Sequence, residues 1–303
     1  MKKVLLADPL APEAFEKLKS IPDFDVTLKT GMDEAELVKT IPEFDALVVR
    51  SATRVTRPVI EAASQLKLIV RAGIGLDNID VAAAEERGIE VANTPAATSI
   101  SVAEHTFGLM LGAVRNHGKA NLSMKNHMWE KKILTGTEIY GKTLGIIGMG
   151  RIGHEVAKRA VAFGMKIICY DVVEVKADIP LEQVELDRLL READIITLHL
   201  PLTEHTRHML SDEEFEKMKE GVIVINASRG GIVDEAALLR ALNSGKVRAA
   251  GIDVFEKEPP DDFKLIDHEN VIATPHIGAA AKEGQKRAGM EVVKILDEKL
   301  AKD

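Results

Sequence analysis

The sequence predicts an α/β protein with two doubly wound parallel-sheet domains. Short apolar runs alternate strictly with helical patterns in both halves of the chain, and this alternation is typical of βαβ units joined into a mostly parallel sheet. A glycine-rich turn, GMGRIG at residues 148–153, follows an apolar run and opens a helical pattern in the middle of the chain. At 303 residues, the chain is long enough for about two domains, each with its own core.

The composition is that of an ordinary globular protein, with 46% apolar and 29% charged residues. The net charge of −8 argues against nucleic acid or an anionic membrane as the main partner. The one cysteine, Cys169, cannot form a disulfide within the chain, which favours a reducing compartment. Because no apolar run approaches the roughly 20 residues of a membrane span and the N-terminal run is too short for a signal peptide, we expect a cytoplasmic protein.

The first block, residues 1–95, alternates five apolar runs with four helical patterns. Strands are predicted over Val4–Ala7, Phe24–Leu28, Ala46–Val49, Leu68–Val70 and Glu90–Ala92. Helices are predicted over Pro12–Lys19, Asp33–Thr40, Pro58–Gln65 and Val81–Arg87. Two of the strands are followed by Arg50-Ser51 and by Arg71 with Gly73, and in an open parallel sheet ligands bind beyond the carboxyl ends of the strands. These residues therefore either meet an anionic ligand or are solvated surface cations, and the pattern favours neither interpretation.

A long and mostly apolar helical pattern, from Ser99 to about Asn116, leads out of the first block. A helix that is apolar on most sides is buried on several sides, so this one is predicted to join the two domains. The segment from Asn121 to Gly141 is more polar and contains Trp129, the only tryptophan. It is either an exposed arm or a contact with another subunit.

The glycine-rich turn has the context of a dinucleotide-binding fingerprint. A strand ends at Ile147, glycines follow at 148, 150 and 153, and an acid, Asp171, stands 18 residues past the last glycine. Gly148 allows a tight turn, Gly150 lets the backbone approach a pyrophosphate, and Gly153 lets the helix pack closely on the strand. The N–H groups at the start of the helix then face the phosphate charge. The alternative is a βαβ turn that uses glycine for its conformation alone.

Asp171, at the end of the second strand, predicts NAD rather than NADP as the cofactor. A carboxylate there accepts hydrogen bonds from the ribose hydroxyls and repels a 2′-phosphate. The next three residues, Val172, Val173 and Glu174, offer no arginine that could bind such a phosphate, and Lys176 is a poor substitute. The alternative is that Asp171 only caps the following turn.

The second block repeats the alternation of strands and helices. Strands are predicted over Thr143–Ile147, Ile167–Tyr170, Ile195–Leu200, Val222–Asn226, Ala249–Val254 and Val271–Ala273. Helices are predicted over Leu181–Arg191, Ser211–Lys219 and Asp234–Ser244. Six strands are what a doubly wound nucleotide-binding domain requires. The last 24 residues form an amphipathic pattern that is too short for a domain and must pack on one already formed.

Three residues beyond strand ends in the second block are suited to a hydride transfer involving a 2-hydroxy acid: Arg229, Glu258 and His276. Arginine binds a carboxylate with two parallel hydrogen bonds. Histidine titrates near pH 6.5 when unperturbed, so it can move the hydroxyl proton, and a nearby glutamate raises its pKa and orients its ring. Another histidine, His105, lies in the apolar helical pattern and is interpreted as a core residue. No Cys/His cluster has zinc spacing and no serine stands in a G-x-S-x-G motif, so neither a metal site nor a serine hydrolase is expected.

Six segments resemble the D-2-hydroxyacid dehydrogenase family, and within it the phosphoglycerate dehydrogenases most closely. They are VRSATRVT, RAGIGLDNID, GMGRIGHEVA, NASRGGIVDE, GIDVFEKEPP and TPHIGAA. The resemblance extends from about Asp45 to Ala281. It implies a Rossmann NAD-binding domain, residues 99–279, inserted in a smaller flavodoxin-like substrate domain formed by residues 1–98 and 280–303. It also implies that the two domains close on the substrate and exclude water.

The functional residues of that family fall on matching positions of this chain. The resemblance implies that His276 is the proton donor and acceptor, Glu258 its hydrogen-bonded partner and Arg229 the carboxylate anchor. Both Arg229 and His276 would also border the cofactor. The other implied NAD contacts are Gly148, Gly150, Arg151, Ile152, Gly153, Asp171, Leu200, Pro201, Ala227, Ser228, Asp253, Gly278 and Ala279. The implied substrate contacts are Arg50, Ser51, Arg71, Gly73 and Lys131, the last of which could reach across a dimer.

The reaction implied by the resemblance is the NAD-dependent oxidation of 3-phospho-D-glycerate to 3-phosphohydroxypyruvate, the first step of serine biosynthesis. A general 2-ketoacid reductase acting on glyoxylate or hydroxypyruvate is the alternative within the family, and an NAD(H)-sensing binding protein is the alternative from another class. The expected partners are a small anionic acid and a second copy of the chain, without nucleic acid or a membrane. Because the chain stops at Asp303, we expect a short form without the C-terminal regulatory domains of many relatives. Ile74, where the family often has Thr, and Thr98, where it often has Asn, leave the identity of the acid open.

Overall fold

The chain forms two units, each built around one parallel sheet. The structure is a computed structural model, and it describes residues 1–300. The first unit consists of residues 1–99 and the C-terminal segment that begins at residue 279, and the second consists of residues 100–278.

The first unit has five strands: β1 (Lys2–Leu6), β2 (Phe24–Leu28), β3 (Ala46–Val49), β4 (Leu68–Arg71) and β5 (Glu90–Asn93). Its helices in this part of the chain are α1 (Pro12–Lys19), α2 (Glu34–Thr40), α3 (Arg57–Ala62) and α4 (Val81–Glu86), with a short 3₁₀ turn over Ile41–Glu43. The strand order, β2-β1-β3-β4-β5, is that of flavodoxin-like sheets. All four residues of β3 are buried, as expected for a parallel strand that is covered on both faces.

The second unit has seven strands: β6 (Thr143–Ile147), β7 (Lys166–Tyr170), β8 (Glu182–Gln183), β9 (Ile195–Leu198), β10 (Val222–Asn226), β11 (Val247–Ile252) and β12 (Val271–Ala273). Its helices are α5 (Ser99–Val114), α6 (His117–Lys125), α7 (Arg151–Ala162), α8 (Leu186–Glu192), α9 (Asp212–Lys217) and α10 (Glu235–Ser244). The strand order is β12-β11-β10-β9-β6-β7-β8, the doubly wound nucleotide-binding order with one strand added. The order reverses between β6 and β9, so the ligand crevice of this sheet is expected above the carboxyl ends of these two strands. The predicted fold class is therefore confirmed.

The predicted helix over Leu181–Arg191 is wrong at its start. Glu182 and Gln183 pair with β7 as the edge strand β8, and the helix begins only at Leu186. The side-chain amide of Gln183 donates to the carbonyl oxygens of Asp171 and Val173, at 3.2 and 2.8 Å, which holds the segment at the sheet edge. A helical spacing of apolar residues cannot report such a long-range pairing, and the sheet accordingly has seven strands rather than six.

Several predicted boundaries also move by a few residues. The long apolar helix ends at Val114, because Asn116 adopts a left-handed backbone conformation (φ 56°) and a second helix, α6, begins after it. The predicted strand over Ala249–Val254 instead covers Val247–Ile252, so that Asp253 lies directly beyond its carboxyl end.

The C-terminal helix α11 (Lys282–Leu300) packs in the first unit. Its buried residues share a core with β1, β3 and β4: Ala288, Val292, Val293, Leu296 and Leu300. A Cβ atom on Gly289 would stand 2.6 Å from the Cβ of Ala14, so the glycine allows α11 to approach α1 closely. The amphipathic end of the chain thus completes a core that the first 99 residues begin.

Candidate active site

The glycine-rich turn after β6 has a separate physical requirement for each glycine. Gly148 has φ +94°, and a Cβ there would stand 2.5 Å from the carbonyl oxygen of His199. A Cβ on Gly153 would stand 2.3 Å from the carbonyl oxygen of Gly148, so this glycine sets how closely α7 approaches the strand. A Cβ on Gly150 would meet no protein atom within 4 Å, so Gly150 leaves open space at the start of the helix. Two glycines are needed by the fold, whereas the third is explained by room for a ligand.

The residues around this turn fit a dinucleotide. Gly150 is the N-cap of α7 and contributes no side-chain cap, so the first N–H groups of a 12-residue helix are directed to the open side of the turn. Arg151 is exposed and Ile152 half-buried at the start of that helix. Leu200, beyond β9, packs against Gly148, and Pro201 next to it is exposed. The turn can therefore hold a pyrophosphate through backbone N–H groups.

Asp171 lies directly beyond β7 and is half-exposed. Its Oδ2 accepts a hydrogen bond of 2.7 Å from the N–H of Met149, inside the glycine-rich turn. Its Oδ1 accepts a longer bond of 3.2 Å from the N–H of Val173. The carboxylate thus stabilises the glycine-rich turn and the turn that follows β7. Each oxygen retains a lone pair that can accept a hydrogen bond from a ribose hydroxyl.

The loop after β10 carries Arg229 and is shaped by a buried asparagine. The Oδ1 of Asn226 accepts hydrogen bonds from the N–H and the hydroxyl of Ser228, at 3.1 and 2.8 Å, and its Nδ2 donates to the carbonyl oxygen of Arg229 at 3.0 Å. The Nη1 of Arg229 donates to the carbonyl oxygen of Ser228 at 2.6 Å. Ala227 and Ser228 are buried, and Arg229 is half-buried. This loop holds the guanidinium in a defined place at the carboxyl edge of the sheet.

The loops after β10 and β11 touch backbone to backbone. A Cβ on Gly230 would stand 1.8 Å from the carbonyl oxygen of Phe255, which no side chain could tolerate. Glu258 follows three residues later, and its Oε1 accepts a hydrogen bond of 3.1 Å from the N–H of Phe255. The glycine after Arg229 therefore keeps the arginine loop and the glutamate loop in contact.

The loop after β12 carries His276 and is organised by Asp253. The carboxylate of Asp253 is 1% exposed and accepts hydrogen bonds from the hydroxyl of Thr274 (2.5 Å) and from the N–H groups of Ile277 (2.9 Å) and Gly278 (2.8 Å). The N–H of His276 donates to the carbonyl oxygen of Asp253 at 2.8 Å. Burial raises the pKa of Asp253, but these donors, together with His105, outweigh it and hold the pKa below its ordinary value. Asp253 is therefore an ionised carboxylate that ties down the histidine loop.

His276 and Glu258 form a charge-assisted pair. The Nδ1 of His276 lies 2.7 Å from the Oε2 of Glu258, and both side chains are partly exposed, by 46% and 38%. This hydrogen bond raises the pKa of His276, against the opposing effects of burial and of the positive charge of Arg229. Burial raises the pKa of Glu258, but its bonds to His276 and Phe255 bring it below the ordinary value. With Nδ1–H directed at Glu258, Nε2 is the nitrogen that exchanges a proton with a ligand.

His276 has a left-handed backbone conformation, with φ +51°. Such a conformation costs a non-glycine residue about 1–2 kcal/mol, so it persists only where neighbouring contacts enforce it. Here the bonds from His276 N–H and from the next two N–H groups to Asp253 supply them. Glu258 contacts His276 directly and Arg229 acts on the same imidazole through its charge, so the three side chains lie near one another beyond the carboxyl ends of β10, β11 and β12. A cation, a proton carrier and a carboxylate are then available to a bound acid.

The predicted substrate residues of the first unit cluster at the carboxyl ends of β3 and β4. Val49, the last residue of β3, pairs with Arg71, the last residue of β4. Arg50 and Arg71 therefore lie close together at the carboxyl ends of neighbouring strands. The side chain of Arg71 folds over the loop that follows β4. Its Nη1 lies 2.6 Å from the position that a Cβ on Gly73 would occupy. Ser51 is exposed. Two arginines thus lie where an open sheet binds its ligands.

The two remaining predicted residues, Lys131 and Ala279, are both exposed. Lys131 is exposed in the segment after α6, close in sequence to Trp129, whose surface is 79% exposed. Ala279 is exposed at the start of the segment that returns to the first unit, directly after the buried Gly278. No contact in the structure connects Lys131 with the Arg229, Glu258 and His276 group within residues 1–300.

Sequence reasoning missed several residues that shape these loops. Asp8 is 3% exposed, and its Oδ2 accepts hydrogen bonds from the N–H groups of Arg50 (2.5 Å) and Thr53 (3.2 Å). Asn78 donates to the carbonyl oxygens of the same two residues, at 2.8 and 2.6 Å. Asp and Asn beyond strand ends often bond to the backbone, so their residue type was the available signal. The sequence gives no signal for the role of Gly230, because a close approach of two loops cannot be seen in it.

Residues 1–300 contain neither a membrane-spanning helix nor a cluster of metal-ligating side chains. None of the described helices combines the length and apolar character that crossing a membrane requires. No group of three or more His, Cys, Asp and Glu side chains in this part of the chain is arranged to hold a metal ion.

Comparison with known proteins identifies the family. A model of the family described as D-isomer specific 2-hydroxyacid dehydrogenase, NAD binding domain, matches residues 107–278. The hydroxypyruvate reductase of Thermotoga maritima is 54% identical over 301 residues, which cover 98% of this chain and 98% of that protein. The D-3-phosphoglycerate dehydrogenase of Methanocaldococcus jannaschii is 50% identical over 311 residues, and the match covers 100% of this chain and 59% of that protein. The chain therefore spans somewhat more than half the length of this relative.

A solved structure agrees with the sequence comparison. The crystal structure of D-lactate dehydrogenase from Aquifex aeolicus, complexed with NAD and lactic acid, superposes with a TM-score of 0.87 at 33% sequence identity, over 100% of this chain and 96% of that one. The two sheets, the dinucleotide turn and these relatives lead to the same conclusion. The chain is an NAD-dependent enzyme that belongs to the D-isomer specific 2-hydroxyacid dehydrogenase family.

Proposed function

We propose that the chain oxidises 3-phospho-D-glycerate to 3-phosphohydroxypyruvate with NAD, and catalyses the reverse reduction, with His276 as the general acid/base. The observation that carries the proton-transfer part is the 2.7 Å bond between His276 and Glu258, within electrostatic reach of Arg229. The phosphate part is supported by Arg50 and Arg71 at neighbouring strand ends and by the 50% identical phosphoglycerate dehydrogenase. This oxidation is the first step of serine biosynthesis, and we assign the chain to that route on the same grounds.

The cofactor roles proposed here are those that the family resemblance implies, and all of the residues concerned except Ala279 belong to the second unit. NAD, when bound, supplies the hydride acceptor. The turn at Gly148, Gly150 and Gly153 would hold its pyrophosphate, and Asp171 would hold its ribose. The remainder of the cofactor would be bordered by Arg151, Ile152, Leu200, Pro201, Ala227, Ser228, Asp253, Gly278 and Ala279.

In the oxidation, Nε2 of His276 accepts the proton of the C2 hydroxyl while the hydride leaves C2. Glu258 accepts the Nδ1–H bond and stabilises the imidazolium that forms. Arg229 binds the substrate carboxylate through its planar guanidinium and keeps C2 in position. In the reduction, the protonated His276 returns the proton to the C2 oxygen.

A second candidate is the reduction of hydroxypyruvate or glyoxylate. It is favoured by the relative that is 54% identical over nearly all of both chains, which is a hydroxypyruvate reductase. The two candidates share the C2 chemistry and the same three residues. They differ only in whether a phosphate on C3 contributes to binding.

A substrate panel separates the candidates. NADH consumption is measured with 3-phosphohydroxypyruvate, hydroxypyruvate and glyoxylate, and we expect kcat/KM to be at least about tenfold higher for the phosphorylated acid, since a charge-assisted contact contributes about 1.5–3 kcal/mol. Arg50→Gln should raise KM for that acid alone. Arg57→Gln, at an exposed arginine that pairs with Glu86 at 2.7 Å, is the control. Equal or better turnover of hydroxypyruvate or glyoxylate replaces the first candidate with the second.

We further propose that the active species is a homodimer. The segment formed by α6 and the residues that follow it exposes five large apolar side chains: Leu122, Met124, Met128, Trp129 and Ile133. Apolar clusters of this kind mark protein–protein contacts. Analytical sedimentation of the wild type should give a molecular mass of twice the chain mass of 33.0 kDa. The double variant Trp129→Lys, Ile133→Lys should have the mass of a monomer. A monomeric wild-type protein at micromolar concentration excludes this proposal.

We also place the protein in the cytoplasm. Cys169 is fully buried in β7, and burial raises the pKa of its thiol to about 11. A lone, protonated thiol suits a reducing compartment. Cell fractionation with an antibody against the chain tests this assignment.

A further inference from the structure

We propose that His105 is a positioning residue for His276, and this inference rests on the proposed function of His276. His105 lies 171 residues earlier in the chain and touches neither Glu258 nor Arg229 in any contact of the described residues. It acts instead on the loop between β12 and the end of the second unit, residues 274–278, which we call the histidine loop. A histidine in an apolar helix is usually interpreted as a core residue, and its contacts show a more specific arrangement.

The packing of α5 brings His105 to the carboxyl end of β11 and β12. One face of α5 carries residues spaced three and four apart: Val102, His105, Leu109 and Gly112. A Cβ on Gly251 in β11 would stand 2.9 Å from the Cβ of Leu109, and a Cβ on Gly112 would stand 2.6 Å from the Cδ1 of Ile272 in β12. The two glycines let the helix lie close to both strands. His105 is one turn nearer the N-terminus than Leu109, on the same face.

The hydrogen bonds of His105 define its tautomer. Its Nε2 lies 3.0 Å from the Oγ1 of Thr274 and 3.2 Å from the Oδ1 of Asp253. The hydroxyl of Thr274 donates its only proton to Asp253, at 2.5 Å, so the oxygen of Thr274 can only accept from His105. Nε2 therefore carries a proton that is shared between Thr274 and Asp253. His105 is a donor to the carboxylate that organises the histidine loop.

The histidine loop is enclosed by these groups on two sides. The position of a Cβ on Gly278 would be 3.0 Å from Oδ2 of Asp253 and 3.7 Å from the side chains of both Val102 and His105. Between Thr274 and Gly278 lies His276, whose left-handed backbone conformation needs enforcement. His105 reinforces the anchor at Thr274, while the N–H groups of Ile277 and Gly278 bond to Asp253. The loop is thus fastened before and after the residue that carries out the proton transfer.

The donor, rather than the volume of the ring, is what this arrangement requires. Asp253 is 1% exposed, and a buried carboxylate is stable only when its hydrogen-bond donors are in place. Removing one donor weakens the hold of Asp253 on the loop and lets His276 relax from its conformation. Loss of volume alone would affect stability without changing the turnover of the folded enzyme.

The test compares two substitutions at one position. His105→Leu keeps an apolar side chain of similar size and removes the donor, whereas His105→Gln keeps an N–H donor at the end of a flexible chain. We expect His105→Leu to lower kcat by about 10- to 100-fold with KM for the 2-oxo acid changed less than threefold, since misplacing a catalytic group by about 1 Å costs on the order of 100-fold. His105→Gln should recover at least a third of the wild-type kcat. His205→Leu, at an exposed histidine that has no role in the proposed site, is the matched control.

A second readout does not depend on activity. Hydrogen exchange of the cofactor-free protein, followed by mass spectrometry, should show at least tenfold faster exchange of peptides covering residues 274–278 in His105→Leu, but not in His105→Gln. Thr274→Val, which removes the bridging hydroxyl, should give the same acceleration if His105→Leu fails to fold. Unchanged exchange and unchanged kcat in His105→Leu overturn the inference while leaving the proposed function intact. If His105→Leu accelerates exchange of the loop but the wild-type protein turns over none of the acids, the positioning role is supported and the proposed function is refuted.

Discussion

At the scale of single residues, the candidate site is a balance of opposing charges. Glu258 raises the pKa of His276, while burial and Arg229 lower it, and the glutamate has the larger effect. The charge of Asp253, which is buried and ionised, also raises the pKa of His276. The pKa of the imidazole is therefore higher than that of a free histidine.

The pH dependence of the reaction should report this balance. Reduction requires protonated His276, so its kcat/KM should be constant at low pH and fall as the pH rises through the raised pKa, above about 6.5. Oxidation requires the neutral ring and should rise through the same pKa. Glu258→Gln removes the negative charge, so both limbs should move to lower pH. Profiles of the wild type and this variant, with the exposed Glu213→Gln as control, decide the matter, and an unmoved limb would show that Glu258 does not set this pKa.

The proton carrier and the anchor should be separable from cofactor binding. His276→Ala should reduce kcat/KM by about 10²- to 10⁴-fold, the usual contribution of general acid/base catalysis. Arg229→Ala should give a similar loss, mainly through KM. Fluorescence titration should show NADH affinity within about threefold of the wild type in both variants, because the turn and Asp171 are untouched. Near-normal turnover of either variant would assign its role to another residue.

At the scale of elements, the loops beyond the parallel strands and the helix α5 are held in place by close contacts that glycine permits. The turn after β6 bends at Gly148 and packs at Gly153. The loops after β10 and β11 touch at Gly230, and α5 rests on β11 and β12 at Gly251 and Gly112. Side chains with chemical roles are thus carried by loops whose positions are determined by close packing.

Two glycines of the dinucleotide turn should respond differently to the same substitution. Gly150→Ala adds a Cβ into open space, so the melting temperature should hardly change, while NADH affinity should fall at least about tenfold because the methyl group occupies the path of the pyrophosphate. Gly153→Ala should lower both, since its Cβ would stand 2.3 Å from a carbonyl oxygen. Calorimetry and NADH titration measure the two properties. Gly108→Ala, in open space on α5, is the control, and unchanged NADH affinity in Gly150→Ala would refute the predicted phosphate contact.

At the scale of the whole molecule, the residues named in the proposed function belong to both units. The second unit contains the dinucleotide turn and the Arg229, Glu258 and His276 group, whereas Arg50 and Arg71 belong to the first. The first unit closes its core with residues from both ends of the chain, since α11 packs on α1 and β4. Each unit therefore has a core that can be perturbed separately.

A core substitution in α11 should affect stability without affecting the cofactor. Leu296 is fully buried in the first unit, and Leu296→Ala should lower the free energy of unfolding by about 2–5 kcal/mol. NADH affinity at a temperature where the protein is folded should stay within about twofold, because the turn and Asp171 belong to the second unit. Lys294→Ala, on the exposed face of the same helix, is the control. A parallel loss of NADH affinity in Leu296→Ala would show that the two units are coupled.

Much of this protein could be predicted from the sequence because the relevant signals are local. Alternating apolar runs predicted both parallel sheets, and the spacing of Gly148, Gly150 and Gly153 before Asp171 predicted the dinucleotide turn. Periodicity and turn chemistry depend on residues a few positions apart, and they decide which segments form strands, helices and turns. The roles of Arg229, Glu258 and His276 were inferred from their chemistry and their positions beyond strand ends, and they stay predictions that the experiments above test.

The tertiary structure alone decided what depends on distant residues. The edge strand β8 exists because Glu182 and Gln183 find β7, although their own sequence resembles the start of a helix. His105 contacts Thr274 across 169 positions of chain, so its apolar neighbours in the sequence indicated only a core residue. The tight contact at Gly230 likewise depends on a loop from another strand. Local sequence determines the conformations that a segment prefers, whereas which donors meet a buried carboxylate is determined by packing of elements that the chain separates widely.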